Sequence, residues 1–167
     1  MVLIPTTGSR PASKRQQTFA ELENLISACT LYNQEYHQWP IFTNILPGHN
    51  YIFHLAISPR FVPIMTGNLT NHSELAKYNP GSIPFVSFSE NDLNKNGRIV
   101  DPYGNDDLVI VMDMTGRGYI APFTVTLTSA SGNTLTLSQT TPIHLPIVAL
   151  SPGRGLSDND FVTTWQR

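Results

Sequence analysis

One feature limits the folds open to this chain more than any other. Phe19, Leu22, Leu25, Ile26, Cys29, Tyr32 and Tyr36 recur at three- and four-residue steps. That period places them along one stripe of an amphipathic helix of about five turns. Thr18 followed by Glu21 has the form of a capping box at its start, and Pro40 blocks its continuation. No second helix of similar length follows, so the stripe has to be covered by something else.

The later half supplies that cover. "IPFVSFSE" and "DDLVIVMD" read as a half-buried and a fully buried strand. Tyr119 to Thr140 reads as a hairpin, with Thr124, Thr126 and Thr128 alternating with Val125 and Leu127 and "SASGN" as its turn. "IHLPIVALS" is a last strand, placed at an edge by Pro146. The tail is a polar loop ending on an aromatic anchor, Trp165. Residues 41–82 read as a short helix or irregular segment. The expected fold is therefore α+β, a long N-terminal amphipathic helix packed on an antiparallel sheet. Residues 1–16, with Pro5, Gly8 and Pro11, read as a linker, and 17–167 as one head domain.

Composition excludes several classes of function. A net charge of −2 offers no footprint for nucleic acid. No apolar run of ~18 residues spans a bilayer. Charged residues make up 13% of the chain, against roughly 25% in typical domains, and Asn, Ser and Thr carry the polarity instead. Cys29 is the single cysteine and sits in the apolar stripe as a small buried hydrophobe. His37, His49, His54, His72 and His144 form no metal-spaced pair, and no serine stands in a nucleophile elbow. His54 and His144, in apolar surroundings, read as hydrogen-bonded core or edge residues. The expectation is a protein without a catalytic site.

Two stretches gather oxygen-bearing side chains. Asp92, Asn94 and Asn96 are spaced two apart with Gly97 next, the opening of an EF-hand-type calcium loop, with Asp101 as a further oxygen. Tyr103 holds the place of the closing glutamate, and a turn in which Asp and Asn cap N–H groups fits the same residues. "DMTGRGYI", from Asp113, has a similar rhythm but puts Arg117 where an oxygen belongs, and reads as non-binding. In the tail, Asp158 and Asp160 flank Asn159, and the carbonyl of Leu156 can join them.

Three segments taken together resemble the soluble domain of type II secretion pseudopilins, relatives of type IV pilins and especially the major pseudopilin. They are the helix end "YNQEYHQWP", the turn Asp101-Pro102-Tyr103-Gly104-Asn105 opening a strand, and the tail "VALSPGRGLSDNDFVTTW". The family's patterns are a "YP" or "WP" helix stop, a "DPWGN" turn and a tail like "SxGxDG…DD…W". The tail matches through Ser151, Gly153, Asp158, Asp160 and Trp165. The turn itself is structural: Asp-Pro fixes an extended entry, and Gly104-Asn105 permits positive φ.

The resemblance implies a filament subunit in the bacterial periplasm, anchored in the inner membrane by a helix segment for which "MVLIP" is the remnant. It implies other pseudopilin subunits as partners and support of protein export as the task. It implies calcium in the C-terminal loop, with Asp158 and Asp160 as side-chain ligands and Leu156 and Ser151 nearby. Arg10, Lys14 and Arg15 then sit as solvated basic residues where the helix leaves the membrane. The alternative is a secreted, calcium-stabilised binding or adhesion module that uses the threonine-rich hairpin.

Overall fold

A computed structural model describes residues 13–42 and 48–165. The "MVLIP" start, Arg10 and residues 43–47 lie outside the described residues. Helix α1 spans Lys14–Tyr36. It begins earlier than the apolar stripe suggests, so Lys14–Gln16 belong to the helix and not to a linker. The Ser13 side chain accepts from the Gln16 N–H, and the Gln16 side chain accepts from the Ser13 N–H. That capping box displaces the one expected at Thr18 and Glu21, which lie inside the helix. His37 closes α1 in a left-handed conformation.

Leu22, Leu25, Cys29 and Tyr32 are fully buried, and Thr18 and Ala28 join them. Phe19, Ile26 and Tyr36 flank this line and are only partly buried. Burying each such leucine contributes about 1.5–3 kcal/mol. The stripe packs on Ile110 and Met112 of strand β2 (Val109–Asp113), Ile147 and Ala149 of β5 (Ile147–Ser151), and Val162 of β6 (Val162–Thr163).

These strands and β1 (Asn50–His54) form an antiparallel sheet in the order β1-β2-β5-β6. Three expectations are corrected here. "NYIFH" is a strand, and it is followed by the short helix α2 (Phe61–Thr66). "IPFVSFSE" joins no ladder: the Phe85 and Val86 N–H groups both donate to the Met65 carbonyl, and the Phe85 ring meets Tyr32 and Tyr36 edge-on. Its alternation comes from packing on the helix. Finally, β5 lies inside the sheet, because Pro146 stands one residue before it and the tail returns as β6. The Pro146 carbonyl even accepts from the Asp113 N–H.

The expected hairpin is present as β3 (Phe123–Thr128) and β4 (Thr134–Gln139). It forms a sheet of its own against the face of the four-stranded sheet opposite α1. Phe123, Val125, Leu127 and Leu135 meet Val109, Val111, Val148 and Leu150 there. The molecule thus has three layers: helix, sheet and hairpin. This is why β2 and β5 are buried on both faces and read as continuous apolar runs. Trp165 anchors the tail on the hairpin, edge-on to Phe123 and donating to Gln139.

Candidate functional site

The turn carrying the resemblance is the centre of a buried polar junction. Pro102 stands second in the turn, and the Gly104 N–H donates to the Asp101 carbonyl at 2.8 Å. Gly104 takes a φ of +87°; Asn105, expected to share that role, does not. Asn105 binds instead. Its N–H and side-chain amide donate to the two Asp101 oxygens at 2.9 and 2.8 Å, and its carbonyl accepts from the Asp101 N–H. The Asp101 carboxylate also takes the Tyr103 N–H and the Ser151 hydroxyl. Asp101 is 4% exposed, Asn105 2% and Ser151 0%, so every donor and acceptor lost here would be lost in the interior.

The junction reaches two further segments. The Asn105 amide donates to the Gly153 carbonyl at 2.8 Å, and its oxygen accepts from the Ala130 N–H at the hairpin tip. Ser151 accepts from the Gly153 N–H in turn. One buried carboxylate and one amide therefore join the turn, the hairpin and the tail. From the helix, the Lys14 ammonium lies 5.6 Å from the centre of the Tyr103 ring, and Arg15 donates to the Asp160 carbonyl. The two residues read as merely solvated are contacts between layers.

Other junctions were invisible in the sequence. The Asn50 side chain pairs with both backbone groups of Ala121, at 2.9 and 2.7 Å, as a neighbouring strand would. His54 meets Asp107 at 2.9 Å, and the other Asp107 oxygen accepts from the Thr128 N–H. His54 is thus tied as expected, whereas His144 is exposed.

Each candidate cation loop includes a one-turn helix with a capping box, Glu90–Asp92 at the start of the first and Asp158–Asp160 in the tail. Asp92 accepts from the Ser89 N–H at 2.6 Å. Asn94 turns its oxygen onto the N–H groups of Asn96 and Arg98, and Leu93 bridges to Ile99. Asn96 is exposed, and Asp101 belongs to the junction above. In the tail, Asp160 accepts from the Leu156 and Ser157 N–H groups at 2.9 and 3.0 Å and from Arg154 at 3.2 Å. Asp158 accepts from the Thr136 N–H of β4, and Leu156 is exposed. Ser151 points away into the Asp101 junction. Neither set converges on one point. Among the described residues, no three His, Cys, Asp or Glu side chains stand together in a way that could hold a metal ion. The spacings Ser89–Asp92 and Ser157–Asp160 were the signal to read, because an acid three residues after a serine suits a helix start. Asp113 likewise caps its own turn, accepting from Thr115 and Gly118.

Burial, then Asp92 and Asp101 nearby, pushes the Glu21 carboxyl up to about 7. Glu21 lines a small cleft between α1 and the 86–100 segment, with Asn24, Leu25 and Phe88. Burial raises the Asp160 carboxyl as well, but the Leu156 and Ser157 N–H groups and Arg154 outweigh it and leave it lowered. For Asp113 the bonds from Thr115, Gly118 and Arg117 also outweigh burial.

No family model, curated protein or solved structure matches the chain.

Proposed function

We propose that this chain is a structural, non-enzymatic subunit of a type II secretion pseudopilus or a related type IV pilin-like filament. The observation that carries this reading is the Asp101–Asn105–Ser151–Gly153 junction. Two of the segments that resemble the family, the turn and the tail, lie about fifty residues apart and meet there in buried hydrogen bonds. The third, the helix end, is tied to the same sheet, because the Trp39 indole donates to the Asp113 carbonyl at 2.9 Å. Segments that only resembled a family by accident would have no reason to interlock. A head built in this way is a rigid block, with its long helix packed on one side and its basic first turn bonded to the tail.

In this proposal the head sits in the periplasm, tethered to the inner membrane through a segment outside the described residues, and other pseudopilin subunits are its partners. None of the described helices is long and apolar enough to cross a membrane. The outer side of α1 offers Leu31, 50% exposed, between Ser27 and Glu35. The test is cysteine crosslinking in the native cell with Cys29 replaced by Ala and single cysteines at Ser27 and Leu31. Ladders of crosslinked subunits in the membrane fraction are expected. A chain recovered only as an uncrosslinked monomer outside the membrane fraction sinks the proposal.

The secreted binding module keeps one observation in its favour. Thr124, Thr126, Thr128, Thr134, Thr136 and Ser138 are exposed on one face of the hairpin, and no Asp, Glu, Lys or Arg stands between Arg117 and Arg154. Replacing Thr126 and Thr136 with Lys separates the two readings. It abolishes binding to a surface if the hairpin is the docking face, and leaves helix crosslinks intact if the filament reading holds.

A further inference from the structure

We infer that Arg154 supplies, as a built-in guanidinium, the positive charge that a bound cation would otherwise bring to the tail, so that residues 151–160 are ordered without a metal ion. The inference rests on the geometry of this loop and stands whether or not the chain assembles into a filament.

A cation loop needs carboxylate and carbonyl oxygens turned inward toward one point, six to eight of them for calcium. Here most of the candidate side-chain oxygens are hydrogen-bonded within the chain. One Asp160 oxygen takes the two N–H groups of Leu156 and Ser157, and the other takes Arg154. Asp158 caps an outward N–H of β4, and Ser151 is bonded inside the Asp101 junction. The tail pattern "SxGxDG" would put a carboxylate at the position of Gly155. No side chain fits there: an added Cβ would lie 2.3 Å from the Ser129 Cβ, and φ is +70°. Gly153 is equally closed, since a Cβ would lie 2.1 Å from the Asp160 carbonyl oxygen. The loop has folded in on itself where a cradle would have to open.

What remains is a carboxylate that is largely covered, with a side-chain exposure of 13%, facing an arginine that is 64% exposed. Arg15 reaches the backbone of the same residue from α1. The guanidinium is fixed to the chain and always charged, so it needs no ion concentration to act. It remains subject to screening, because it faces solvent.

The experiment follows amide hydrogen exchange at Leu156 and Ser157 in the wild-type chain, with calcium chloride and with chelator, beside a calorimetric titration with calcium chloride alone. Exchange is expected to be the same in both conditions, with no saturable heat. Arg154→Gln should speed exchange at these two amides about two- to fivefold, the range exposed ion pairs supply, and Arg154→Lys should speed it less. Raising salt to about 1 M, where the screening length is ~3 Å, should move the wild type the same way without any substitution. Amides of Val109–Asp113 serve as the control for global folding. Faster exchange in chelator, saturable calcium heat, or no response to both Arg154→Gln and salt overturns the inference.

Discussion

Replacing Asp101 with Asn removes one charge and almost no volume, and so isolates the buried junction from packing. The carboxylate accepts four hydrogen bonds, from the Tyr103 N–H, the Asn105 N–H, the Asn105 amide and the Ser151 hydroxyl. An asparagine can keep its oxygen on the two backbone donors, which then become neutral bonds worth about 1 kcal/mol instead of about 1.5–3. Its NH2 group must face the Asn105 amide, another donor, so that bond is lost outright. Ser151 already accepts from Gly153 and loses its own acceptor, at about 1–3 kcal/mol for a buried unmet donor. Summed, these terms run from about 3.5 to 10 kcal/mol, and relaxation of the site brings the net loss to the low end, about 3–5 kcal/mol. At about 2–4 °C per kcal/mol for a chain of this size, the melting temperature should fall by about 6–20 °C. Urea unfolding followed by circular dichroism reads the loss directly. A double-mutant cycle with Ser151→Ala should return a coupling above about 1 kcal/mol, because the two side chains touch. A loss under about 1 kcal/mol, or additive single substitutions, would refute the idea that this junction holds turn, hairpin and tail together.

Three other substitutions follow from single contacts. Gly155→Ala forces a Cβ to 2.3 Å from Ser129 at a φ of +70°, and should cost about 2–4 kcal/mol in thermal unfolding. Thr18→Val should raise stability by about 1 kcal/mol, because the buried Thr18 hydroxyl has no hydrogen-bond partner among the described residues; a destabilised variant would mean that the hydroxyl is satisfied after all. The Glu21 carboxyl is raised from 4.5 to about 7 in the folded state, so its stabilising contribution is complete below pH 4.5 and is lost as pH rises through 7. Glu21→Gln should flatten the decline of the melting temperature over that interval, and an unchanged pH profile would count against the shift.

Local patterns in the chain announced the helix, the buried strand β2, the hairpin and the Asp101 turn, since each is written in neighbouring residues. Leu22, Leu25, Cys29 and Tyr32 mark a face by their spacing alone, and Thr-Val-Thr-Leu-Thr marks a strand. The misreadings share one cause. Ser13–Gln16 and Thr18–Glu21 have the same capping form, and only the packing of Thr18 decides between them. "IPFVSFSE" alternates like a strand because Phe85 packs on a helix. "NYIFH" was hidden because its partner, β2, lies more than fifty residues away. Asp92 and Asp160 are a different case: both cap short helices here, and an acid that caps a helix and an acid that binds a cation have the same residue type.

The sequence by itself determined the elements and the turn that links them, because periodicity, proline and glycine act over a few residues. Only the tertiary structure decided that the hairpin forms a third layer, that β5 lies inside the sheet, and that Asn105, Ser151 and Gly153 share one carboxylate. Those outcomes depend on which distant groups remain to satisfy buried donors and acceptors once the apolar faces have closed. That matching is settled across the whole fold, and no short stretch of chain contains it.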